Sequence, residues 1–166
     1  MTDHSHCKSV SPSSSGKKSW ANKREFAIVG TLVYMSPEMI IMLHQQKADR
    51  DGYTQATDWW SLGVTVYRML TGCRPFDNPN FNTFIDMTMT MERKFTSHVY
   101  FNLYAKLFQK IDIPQDVDMS EEAFDFITRL LDVNEHTRLG SGPLGVEEMK
   151  NHPFFRGIDW AQLEHK

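Results

Sequence analysis

The sequence has 166 residues, 40% of them apolar and 23% charged, with a formal net charge of −3. A chain of this size buries roughly 70% of its unfolded surface around one core, and its charge balance argues against a nucleic-acid partner. With no apolar run of about 18 residues and no apolar N-terminal stretch, neither a transmembrane segment nor a secretory signal is expected.

Taken in chain order, residues 1–25 are rich in Ser and Lys and poor in large apolar side chains. Such a stretch cannot offset its own ordering entropy and reads as a flexible tail. His4, His6 and Cys7 lie close together there, but no second pair of ligands follows at zinc-site spacing, so no metal is expected. Cys7 and Cys73 make no disulfide framework, which fits a reducing, intracellular and cytoplasmic location. The globular part runs over 26–166. A helix is expected after Pro37. The strongest helical segment is 57–71, where Thr57 and Asp58 offer N-cap chemistry, Gly72 follows the end and Pro75 comes next. Its apolar residues cover nearly the whole circumference, the pattern of a helix at the centre of a domain. If part of its surroundings is absent, the uncovered surface favours aggregation. Further helices are expected at 100–109, at 120–132 and near 145–151. In the second of these Ser120 is the cap, and Phe124, Ile127, Leu130 and Leu131 form the apolar face. No segment reads as a sheet strand, so the fold class is mainly α.

Three stretches carry chemistry. The first is Gly30-Thr31-Leu32-Val33-Tyr34-Met35-Ser36-Pro37-Glu38. The second is Asp58-Trp59-Trp60-Ser61-Leu62-Gly63-Val64, continuing to Leu70-Thr71-Gly72 and Pro75-Phe76. The third is Arg138-Leu139-Gly140, followed by His152-Pro153-Phe154-Phe155 and Ile158-Asp159-Trp160. In this order, over about 26–163, they resemble the C-terminal half of a eukaryotic serine/threonine protein kinase domain of the AGC group. The first looks like the end of an activation segment, the second like the central helix of the large lobe, the third like its close. The resemblance implies a partial kinase-like fold, the large helical lobe only, with residues 78–99 as an insertion. Met87, Met89 and Met91 alternate with threonines there, which fits ordinary loop packing better than a partner-binding surface.

The resemblance also implies roles. Glu38 and Arg138 match a buried ion pair that pins the activation segment, and an arginine fork suits a carboxylate. Gly63 is a structural position of the central helix. For Asp58 two readings stand: it caps its own helix, or it braces the catalytic loop as in similar kinases. Thr31 matches the threonine that helps position the substrate hydroxyl. Leu32, Val33, Tyr34 and Met35 match the pocket for the residue after the phosphoacceptor, and an apolar turn anchoring the segment is compatible with that. Ala27, three residues before Gly30, stands where many relatives carry an activating phosphothreonine. Kinases acting on G-protein-coupled receptors similarly lack a hydroxyl there, and 85–91 is also similar to that subgroup.

The family reaction is ATP-dependent phosphorylation of protein Ser/Thr, with ATP and Mg²⁺ as cofactors of the complete domain. The sequence has no G-x-G-x-x-G, no Val-Ala-x-Lys, no His-Arg-Asp and no Asp-Phe-Gly before Gly30, the parts phosphoryl transfer uses. Residues 1–166 alone are therefore expected to be inactive. The expected partners are a protein substrate or the N-terminal portion of the kinase. The alternative is a non-catalytic, kinase-like binding module or competitor.

Overall fold

The computed structural model describes residues 23–45, 48, 50–76 and 111–164. Residues 1–22 of the expected tail, with His4, His6 and Cys7, lie outside these. So do the stretch 78–99 with its methionines and the helix expected at 100–109. Arg24 and Glu25, at the end of the stretch read as a tail, are bonded to the body. Arg24 Nη1 donates to Gly52 O at 2.9 Å, and Glu25 exchanges two backbone hydrogen bonds with Tyr53. That bridge is the only β pairing among the described residues, and the architecture is otherwise helical.

Helix α1 spans Pro37–His44. Extended Ser36 precedes it, Pro37 fills a first-turn position that needs no N–H, and Glu38 sits at the positive end of the dipole. Helix α2 spans Ala56–Thr71 and ends on Gly72, whose φ of 74° is left-handed and whose N–H bonds Arg68 O at 2.9 Å. Its start corrects the expected cap. Thr57 and Asp58 lie inside the first turn, while Thr54 Oγ1 accepts the Ala56 N–H at 3.3 Å. The Thr57 hydroxyl is engaged by side chains outside its helix, described below.

The burial of α2 differs from the all-round pattern expected. Trp60, Gly63, Val64, Val66 and Tyr67 are buried, but Leu62 and Leu70 are exposed and Met69 is 74% exposed. Helix α3 spans Glu121–Leu130, with Ser120 Oγ accepting the Ala123 N–H at 3.2 Å. Its inner face is Ala123, Phe126, Ile127 and Leu130. Of the expected face Ile127, Leu130 and Leu131 are buried, but Phe124 is 41% exposed and Phe126 takes its place in the core. The α2–α3 crossing is tight: a Cβ on Gly63 would stand 2.9 Å from both Leu130 Cβ and Leu131 Cδ2.

Helix α4 covers Val146–Lys150 and α5 covers Trp160–Glu164, with a 3-10 turn at Pro153–Phe155 between them. Phe126 of α3 stacks on Phe154 and meets Phe155 edge-on, and Phe155 meets Trp160. His152 fixes this turn. Its Nδ1 accepts the Phe154 N–H at 3.2 Å, and its Nε2 lies 2.9 Å from Asp125 Oδ2. Among the described residues no helix is long and apolar enough to cross a membrane.

Candidate functional site

The stretch 30–38 lies across α2. Gly30 takes a φ of 117°, which a residue with a Cβ rarely adopts. Thr31 is extended and exposed, and its carbonyl accepts the Tyr34 N–H at 2.9 Å. Leu32–Tyr34 then form one 3-10 turn, closed by Met35 N–H on Leu32 O at 3.1 Å. A single turn with two hydrogen bonds does not hold its own shape. Its hold comes from α2. Ser61 Oγ donates to Tyr34 O at 2.9 Å, and Arg68 Nη1 donates to Tyr34 OH at 2.8 Å.

The C-terminal end of the segment is fixed by charge. Arg138 Nη1 and Nη2 reach Glu38 Oε1 and Oε2 at 2.7 and 2.9 Å, a two-pronged contact. Arg138 Nη1 also donates to Ala56 O at 2.7 Å and Nε to Asp132 O at 2.9 Å. Its guanidinium lies 5.2 Å from the Trp60 ring centroid. The Arg138 side chain is 0% exposed and that of Glu38 is 14% exposed. Burial pushes the Glu38 carboxyl up, but the hydrogen bonds and charge of Arg138 outweigh it, so the group sits below its ordinary value. Thr57 Oγ1 donates to Glu38 Oε1 at 3.2 Å and accepts from Ser36 Oγ at 3.2 Å.

Between the segment and the start of α2 lies a hollow of about 140 Å³, lined by Thr31, Tyr34, Met35, Tyr53, Asp58 and Ser61 among others. The structure thus brings Thr31, Tyr34, Met35 and Asp58 together. Leu32 does not line the hollow but packs on the core, and half-buried Val33 is outside it too. Asp58 is exposed and its carboxylate accepts no hydrogen bond from the described residues. The Tyr53 phenol donates to Ala27 O at 2.7 Å, and burial, then the Glu25 and Asp58 charges, raise its pKa. Gly63 stands apart from the hollow, at the α2–α3 crossing. The contacts of Thr57, Ser61 and Arg68 with this segment are not legible in the sequence, where Thr57 reads only as a capping residue, because nothing in it marks which helix residues meet a segment some 19 to 34 positions away.

A stretch resembling an activation segment, pinned beside a central helix through a Glu–Arg fork, is the arrangement the kinase resemblance implies. The protein kinase domain pattern matches residues 1–155. Ribosomal protein S6 kinase alpha-3 of Homo sapiens is 38% identical over 141 residues, 85% of this chain and 15% of its own length. Ribosomal protein S6 kinase alpha-6 of Danio rerio is 35% identical over 142 residues, 86% of this chain and 15% of its own length. The chain belongs to the protein kinase family, within the serine/threonine kinases of the AGC group. It spans about 15% of the length of these curated relatives.

Proposed function

We propose that this chain is the substrate-docking part of the large lobe of a serine/threonine kinase domain. In this reading Thr31 positions the substrate hydroxyl. Tyr34 and Met35 form the wall of the hollow that takes the residue after the phosphoacceptor, with Leu32 and Val33 shaping the turn behind them. Glu38 and Arg138 hold the segment, Gly63 sets the helix crossing, and exposed Asp58 is free to brace a catalytic loop. The observation that carries the reading is the Arg138 fork on Glu38, because it fixes the end of the docking segment to α2 through buried contacts.

The family reaction uses ATP and Mg²⁺. Residues 1–166 carry none of the Gly-rich, Val-Ala-x-Lys, His-Arg-Asp or Asp-Phe-Gly motifs before Gly30 that phosphoryl transfer uses, and on that ground they are read as inactive in phosphotransfer on their own. Ala27, without a hydroxyl, leaves the segment no phosphorylation at that position. The likeness to receptor-directed kinases rests on this residue, since 85–91 lies outside the described residues.

The test is a phosphotransfer assay of purified residues 1–166 with Mg²⁺, ATP and a serine peptide, alongside NMR titration of the same peptide. The expected result is no turnover, with peptide-induced shifts at residues 31–35. Metal-dependent turnover would refute the inactive reading, and shifts confined elsewhere would refute the docking reading.

A further inference from the structure

Helix α2 carries Asp58, Ser61, Thr65 and Arg68 at spacings that place them on one stripe. The stripe begins at the hollow and runs about 15 Å along the helix to Arg68. Tyr34 lies over it, held by Ser61 Oγ on its carbonyl at 2.9 Å and by Arg68 Nη1 on its hydroxyl at 2.8 Å. Arg68 is exposed, and among the described residues the tyrosine hydroxyl is its only side-chain partner. No carboxylate neutralises it among the described residues. The stripe thus ends in a positive fork with unused N–H groups, while its other end, at the hollow, is negative.

We infer that Arg68 reads a carboxylate on the protein substrate, so that the docking segment selects sequences with an acidic residue near the phosphoacceptor. The inference rests on the reading of 30–38 as the docking segment. A serine placed at the Thr31–Asp58 end leaves the peptide to run past Tyr34 toward Arg68. Allowing for the reach of the arginine, the meeting point is roughly three residues of extended peptide away. A guanidinium fork donates to a carboxylate there and repels a lysine. The contact is exposed, so its effect is modest, about two- to five-fold in affinity, and it weakens with salt.

The test is an NMR titration of ¹⁵N-labelled residues 1–166 with serine-centred peptides. Glu, Ala or Lys is placed in turn at each position within a few residues of the serine. At one position Glu tightens and Lys weakens binding relative to Ala, by about two- to five-fold. Arg68→Glu inverts that order and Arg68→Gln abolishes it, with both variants still unfolding in one cooperative thermal transition. A role confined to holding Tyr34 would weaken all three peptides equally. Shifts at 31–35 with equal affinity for Glu, Ala and Lys, or a preference unchanged in Arg68→Glu, overturn the inference and leave the docking reading standing. No shift at 31–35 with any peptide overturns both.

Discussion

Replacing Arg138 by methionine removes the charge while keeping an unbranched side chain of comparable reach. The wild-type guanidinium is 0% exposed at its side chain and engages both oxygens of Glu38, Ala56 O and Asp132 O. Arg138→Met leaves the Glu38 carboxylate, 14% exposed, without a counter-charge and two backbone carbonyls without their donor. Breaking a buried pair from one side costs about 3–5 kcal/mol, a large part of the 5–15 kcal/mol that is roughly a whole domain's stability. Urea unfolding followed by tryptophan fluorescence measures the loss, because Trp60 lies against the guanidinium. Arg138→Met with Glu38→Met removes both charges and recovers most of it. A loss under about 1 kcal/mol in the single variant, or simple addition of the two single losses in the double, refutes the argument. Acid provides a second view. The Glu38 carboxyl sits below its ordinary value in the fold, so its stabilisation is present above the unfolded value and is lost as pH falls through the folded one. Glu38→Gln removes that part of the acid sensitivity.

Two further substitutions probe the framework. Gly63→Ala puts a methyl group 2.9 Å from Leu130 Cβ and Leu131 Cδ2, so overpacking outweighs the helix propensity gained. A loss of about 1–3 kcal/mol is expected from urea midpoints, and a more stable variant would contradict the close crossing. Ser120→Ala removes the acceptor for the Ala123 N–H and costs about 1 kcal/mol, read from the same transition.

Much of the helical order was legible because local chemistry fixes it. Pro37 after an extended serine, Gly72 at a left-handed end and Ser120 before two glutamates all mark boundaries that need no tertiary context. Rotation about the helix axis was less legible. On α3 the expected face 124, 127, 130, 131 and the observed face 123, 126, 127, 130 share Ile127 and Leu130, and both collect apolar side chains, so the choice between Phe124 and Phe126 is not local. Contact with Phe154 and Phe155 decides for Phe126. The start of α2 was misjudged because Thr57 and Thr54 have the same capping chemistry, and Ser36 and Glu38 claim the hydroxyl of Thr57. No local pattern links Glu38 with Arg138, 100 positions apart. Family resemblance alone drew attention to both.

Helix α2 organises the segment 30–38 through contacts on more than one of its faces. One face meets α3 through Gly63 and Val64, and a polar stripe carries the segment 30–35 on Ser61 and Arg68. The end of that segment is fixed by Thr57, Arg138 and the Trp60 ring behind it. Each of these anchors is a helix residue or a buried side chain, and none of them needs a nucleotide or a metal for its hydrogen bonds. The shape of the segment 30–38 follows from these packing contacts. Asp58 differs in this respect. It stands exposed at the head of α2 without a donor among the described residues, and an aspartate in the first turn is only modestly favoured by the helix dipole. An exposed carboxylate without a donor is what the proposed bracing of a loop by its backbone N–H groups would require of Asp58.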